Sequence, residues 1–163
     1  MACDLPAVID IEASGFGRGS YPIEVGFVTG DGAAGCTLIR PEADWVHWDE
    51  QAQRTHGLSR ETLLAHGRDC REVAHWLNQH LAGQEVVCDA WAHDYPWLSR
   101  LFDSAEVVAQ FHLRDLRELL SPDELEQFVE ARQQARDQLV LQRHRASSDA
   151  RVLQLAIARL RGA

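Results

Sequence analysis

The chain has 163 residues, 45% of them hydrophobic, and a formal net charge of −9. That apolar content supports a buried core and excludes a disordered polymer, and the acidic balance argues against a protein that coats nucleic acid by charge alone. The length predicts one domain over residues 1–163. No apolar run is long enough to span a bilayer, and the N-terminus lacks a basic region followed by an apolar core, which predicts a cytoplasmic protein with no membrane partner. Cys3, Cys36, Cys70 and Cys88 form no CxxC pair, so reduced structural thiols are expected rather than a zinc site. All sixteen basic residues are arginine. From residue 132 onward seven arginines face only Asp137 and Asp149, a local charge of +5 that leaves −14 on the remainder. Such a segment is either a solvated helix face or the flank of a site for an anion.

In chain order, "LPAVIDIEAS" is a short apolar run after Pro6 and predicts a buried strand. "GFGRG" lies between two strand patterns and lacks the G-K-S/T of a phosphate loop, so it reads as a turn. "YPIEVGFVTG" and "AAGCTLIRP", separated by Gly30-Asp31-Gly32, complete a three-strand meander. "SRETLLAHG" begins a helix with an imperfect capping box, Glu61 standing one position early. "CREVAHWLNQHLAG" places Val73, Trp76, Leu77 and Leu81 on one stripe and stops at Gly83. "EVVCDA" predicts a strand, "DYPWLSRLF" a helix and "EVVAQFHL" another strand, after which Asp115 is a helix cap. "SPDELEQFVEARQQARDQLVL" opens with Ser121, Pro122 and Glu124, a complete capping box. The last helix runs from about Ser147 to Leu160. Strands followed by alternating helix and strand imply a mixed sheet with helices on its faces and a central first strand.

Three placements of acids break this apolar pattern. Asp10 and Glu12 stand two apart in a strand and leave the sheet on the same side. Asp94 precedes Trp97, Leu98, Leu101 and Phe102 at helical spacing and so continues a buried stripe. Asp149 does the same ahead of Val152, Leu153, Ala156, Ile157 and Leu160. Each has a plainer explanation: a strand that ends early, or acids at helix starts with Ser147 or Ser148 as the caps. If the four converge, mutual repulsion forces them to take up protons or cations. An all-oxygen set suits magnesium or manganese, and two such ions can clamp a phosphoryl displacement.

The ordered set "VIDIEASG", "YPIEVGFVTGDG", "HGLSRETL", "DYPWL" and "HRASSDA" resembles the DEDDh 3′–5′ exonucleases, a family that includes RNase T, oligoribonuclease and the proofreading exonuclease of bacterial DNA polymerase III. The match spans residues 7 to about 160, and H-R-A-x-x-D-A is its most specific part. The resemblance implies an α/β ribonuclease H-like fold, a five-stranded mixed sheet of order 3-2-1-4-5 with helices on both faces. It implies Asp10, Glu12, Asp94 and Asp149 as ligands of two Mg²⁺ or Mn²⁺ ions and His144 as general base, a neutral imidazole able to take a proton from the attacking water. Ser14 and Gly15 match where such proteins approach the terminal nucleotide, and Arg143 and Arg145 flank His144 as candidates to touch a phosphate. The chain departs from the pattern at Ala90, where asparagine is common, and Asp89 beside it is a rival for Asp94. Trp45, Trp48 and Trp91 are either packing residues or platforms for bases; no role is assigned to the other histidines.

The expected activity is hydrolysis of single-stranded DNA or RNA 3′ ends, or short oligonucleotides, to nucleoside 5′-monophosphates. The alternative is a module on the same fold that binds nucleic-acid ends or a protein without cleaving. A homodimer is compatible with the sequence.

Overall fold

A computed structural model describes residues 5–139 and 145–162. Three strands come first: β1 (Ala7–Ala13), β2 (Pro22–Val28) and β3 (Ala34–Leu38). Helices α1 (Glu50–His56), α2 (Arg60–His66) and α3 (Cys70–Leu81) follow, then β4 (Glu85–Cys88), α4 (Trp91–Ala105) and β5 (His112–Asp115). The short helix α5 (Leu116–Leu119) leads into α6 (Pro122–Leu139) and α7 (Ala146–Leu160). The sheet is ordered β3-β2-β1-β4-β5, with β1 antiparallel to β2 and parallel to β4. This is the α/β ribonuclease H-like arrangement expected from the sequence. Among the described residues no helix is long and apolar enough to cross a membrane.

Side-chain alternation along β1 splits the core in two. Ala7, Ile9, Ile11 and Ala13 pack with Ile23, Val25 and Phe27 against α3 and α4. Val8 joins Val28 and Val87 beneath α6 and α7.

Several boundaries differ from the sequence expectation. Residues 50–56 form a helix without an apolar stripe because both ends are capped. The Asp49 side chain accepts from the Gln51 and Ala52 amides, and Gly57 closes the end in a left-handed conformation. Helix α4 starts at Trp91, one turn earlier than the apolar stripe suggested. The fifth strand starts later than "EVVAQFHL" predicted, because Asn78 claims the preceding backbone. Its amide donates to the Val108 carbonyl and accepts from the Gln110 N–H. Ser121 and Glu124 exchange the two bonds of a capping box, and Asp115 caps α5. Cys36, Cys70 and Cys88 are free thiols.

Candidate metal centre

Asp10 and Glu12 leave β1 on the α7 side, continuing the row begun by Val8. Their rungs on β2 are Gly26, opposite Asp10, and Glu24, opposite Glu12. Gly26 is required by contact rather than by a turn: a Cβ there would lie 2.4 Å from the Ser147 nitrogen and 2.5 Å from the Ala146 carbonyl carbon. The first turn of α7 therefore rests directly on β2, which brings Asp149 over the sheet. One carboxylate oxygen from each of Asp10, Glu12 and Asp149 lies within 4.8 Å of the others.

Asp94 joins from the other side. It is buried near the start of α4 and lines, with Asp10 and Glu12, a cleft of about 600 Å³. Burial and then the Asp94 charge are the largest causes that hold the Asp10 carboxyl well above its usual range. Burial, then Asp149, pushes Glu12 up to about 8, and burial raises Asp94 to about 7. At the 4.8 Å limit of the Asp10, Glu12 and Asp149 oxygens, each pair of these acids, if ionised, repels by roughly 3–4 kcal/mol at an effective dielectric near 20. The cations that oppose these shifts are Arg132 and Arg145, and each is bound to another acid, Asp89 and Glu24 respectively. The clustered carboxylates offer oxygen donors, and among the described residues the two cations that oppose the shifts are themselves tied to other acids, which fits hard divalent cations.

The remaining expected site residues fall as follows. Asp89, the rival for Asp94, is turned away into the ion pair with Arg132 on α6. Arg145, expected at a phosphate, instead directs Nε and a terminal nitrogen onto Glu24 at 2.9 and 2.6 Å. The Ser14 hydroxyl accepts from the Tyr21 amide and bonds His47 Nδ1, so its polar group is committed internally. Gly15 lines the cleft; its φ of +145° and the Asp49 Cβ, 2.6 Å from where its own Cβ would stand, both favour glycine. Ala90 stands at the N-cap of α4 and supplies no capping bond. Ser147 and Ser148 lie inside α7 rather than capping it. His144 and Arg143 lie outside the described residues.

Trp45 is buried in a stack with Tyr21, and Trp48 donates to Gln53; both are packing residues. Trp91 is stacked on Tyr95 and is not among the residues lining the cleft. The aromatic wall of the cleft is made instead by Phe16, His93 and Trp97. Phe16 is 67% exposed and meets the His93 ring edge-on at 4.9 Å, while His93 stacks on Trp97 at 5.7 Å. Trp97 donates to Ser20 and Arg100 donates to the Gly19 and Ser20 carbonyls, which tie the Phe16 loop to α4. Sequence reasoning passed over Phe16, His93 and His56, which also lines the cleft. The available signals were the contact spacing of His93 with Trp97, the position of Phe16 beside Gly15, and the H-G-L segment holding His56.

No protein-family model matches the chain, and no curated protein matches it. Solved structures do. A moderately thermophilic exonuclease I from Methylocaldum szegediense superposes with a TM-score of 0.68 at 15% identity, covering 97% of this chain and 40% of the other. E. coli exonuclease I in complex with a dA16 oligonucleotide gives 0.69 at 12% identity with the same coverages. The zinc-ion-bound E. coli exonuclease I complex with single-stranded DNA gives 0.65 at 12%, covering 94% of this chain and 39% of that one. The chain therefore shares the fold of these exonucleases and spans about two-fifths of their length.

Proposed function

We propose that the chain is a metal-dependent 3′–5′ exonuclease of the DEDDh type. It acts on single-stranded DNA or RNA ends, or short oligonucleotides, and releases nucleoside 5′-monophosphates. The observation that carries this reading is the meeting of Asp10, Glu12 and Asp149 oxygens within 4.8 Å, with buried Asp94 sharing a cleft with Asp10 and Glu12. The solved exonuclease I structures on this fold, with single-stranded DNA or zinc bound, support it.

Asp10, Glu12, Asp94 and Asp149 would hold two Mg²⁺ or Mn²⁺ ions. Such ions supply activation of the water and charge neutralisation on the phosphate. The protein's own groups do the rest. Phe16, with His93 and Trp97 behind it, offers a face on which the terminal base stacks, and the loop through Gly15 brings backbone against the nucleotide. The His144 imidazole accepts the proton of the attacking water. A stacked base is worth about 1–3 kcal/mol, so Phe16→Ala should raise KM about 5- to 150-fold with kcat less affected. Steady-state kinetics on a short oligonucleotide checks this.

The test of the activity is incubation of purified protein with end-labelled DNA and RNA oligonucleotides in Mg²⁺, Mn²⁺ or chelator. A ladder shortening from the 3′ end, absent with chelator, is expected. Internal cuts, shortening from the 5′ end, or no cleavage in either metal would overturn the assignment. The non-cleaving alternative gains no support from the site, since none of its four acids is replaced.

A further inference from the structure

We propose that Glu24 and Arg145 form a latch that positions Asp149 in the metal centre. The idea rests on the exonuclease reading above and assigns a role to two residues outside the metal-binding set. Glu24 is 0% exposed on β2, on the rung opposite Glu12. A buried carboxylate costs several kcal/mol unless its oxygens are matched, so this one calls for a reason.

Both of its oxygens are used at the start of α7. Oε1 accepts the Ala146 N–H at 2.7 Å, and Oε2 accepts Arg145 Nε at 2.9 Å and a terminal nitrogen at 2.6 Å. The N-cap residue of α7 is Arg145, which makes no side-chain capping bond. Glu24 supplies that cap from a strand more than a hundred residues away, and its negative charge suits the helix N-terminus.

Gly26, two residues along the same face, lets the Ala146–Ser147 backbone touch the strand. The acceptor and the contact together fix α7 both along its axis and about it. Asp149 lies within the same first turn, so its carboxylate is placed by the same two contacts. The rungs Glu12–Glu24 and Asp10–Gly26 are neighbours in one ladder, so the latch and the metal centre share a rigid base. Arg145 has a second effect. It neutralises Glu24, which would otherwise add a further negative charge beside Glu12.

The test compares Glu24→Gln, Arg145→Gln, Arg145→Lys and the double Glu24→Gln/Arg145→Gln variant with the intact chain. Glu24→Gln keeps an acceptor for Ala146, and Arg145 is partly exposed, so both singles are designed to fold. Outer partners of metal ligands typically contribute about 10–100-fold, so each Gln single should lose that much in kcat and in Mn²⁺ affinity, with KM within about 3-fold. Arg145→Lys should recover part of the loss, and the double should be no worse than the worse single. Intact kcat and Mn²⁺ affinity beside a lowered thermal midpoint would overturn the latch as an ordinary structural pair. So would a raised KM with unchanged kcat, which marks Arg145 as a substrate contact. An intact protein that binds Mn²⁺ but cleaves no oligonucleotide defeats the exonuclease reading alone, because the Mn²⁺ titrations of the variants still decide the latch.

Discussion

Ile9 and Asp10 are adjacent in β1 and point to opposite faces of one sheet. On the Ile9 face lie the large side chains, Tyr21, Phe27, Leu77, Leu81 and Leu101, all fully buried. On the Asp10 face the buried cluster includes Ala131, Ala135, Ala150 and Ala156, α6 packs on α7, and Gly26 lies beneath Ala146, so the α7 backbone comes close to β2. One face is built for apolar volume and the other for approach. Asp10, Glu12 and Asp149 gather on the second, where α7 brings Asp149 down to the strand, and Asp94 reaches them from α4, which packs on the first. Stability and chemistry are thus divided between two sides of the same seven residues.

The largest effects should come from breaking the acidic side. Asp10→Ala, Glu12→Ala, Asp94→Ala and Asp149→Ala should each remove nearly all nuclease activity, more than the about 10–100-fold that an outer partner costs, and pairs should add little to singles. Asp89→Ala should be milder, since its carboxylate serves Arg132. Single-turnover rates on a labelled oligonucleotide decide this; loss with Asp89→Ala and survival with Asp94→Ala would reverse the assignment of the second motif. His144→Ala is expected to slow turnover by about 10²–10⁴-fold while Mn²⁺ binding, followed by calorimetry, stays intact.

The same adjacent pair sharpens the division in stability. Ile9→Ala should cost about 2–5 kcal/mol by leaving a cavity in the larger core. Asp10→Asn should raise the thermal midpoint of the metal-free protein, because it removes one of the repelling acids, while abolishing cleavage. The pH dependence follows from the raised carboxyls of Asp10, Glu12 and Asp94. The folded state keeps protons that the unfolded chain has released, so their contribution is complete below about pH 4 and is lost as pH rises toward about 8. In chelator the midpoint should therefore fall across pH 5–8. Divalent cation should oppose that fall, and Asp10→Asn should flatten it. A midpoint that rises over this window without metal would contradict the buried acidic cluster.

Much of this division was legible in the sequence, for physical reasons. Alternation in "AVIDIEA" and the helical stripes behind Asp94 and Asp149 depend on local periodicity; strand and helix succession implies a mixed sheet with a central first strand, and the full order 3-2-1-4-5 came from the family resemblance. What was not legible depends on long-range contact. Glu24 reads as one polar residue in an alternating strand; only the approach of α7, more than a hundred residues later, shows why it is there. For the same reason Ser147 and Ser148 were plausible caps, whereas the cap comes from β2. The Phe16 wall needed the loop to be tied across to α4 by Trp97 and Arg100, which no local pattern announces. The start of β5 was misplaced because Asn78, from another helix, takes the preceding backbone groups.

The smallest expected effect concerns the basic C-terminal segment, which separates a charged track from a set of internal ties. Arg132 is held by Asp89 and Arg145 by Glu24, and Arg161 lies by Glu124. Arg159 donates to Gln134 and Gln138. Most of the segment's described arginines are therefore engaged within the protein, and the remainder of the chain carries −14, which repels a long polyanion. Few phosphates should then be neutralised on binding. The slope of log affinity against log salt should be shallow, roughly −1 to −3, by counterion release. Binding is measured with cleavage blocked by Asp10→Ala, on single strands from a few to several tens of nucleotides. Affinity should level off within the short lengths. A slope much steeper than −3, or affinity that keeps climbing with length, would show that these arginines leave their internal partners to form an extended track, and the division between packing and chemistry would then extend to a third, electrostatic surface.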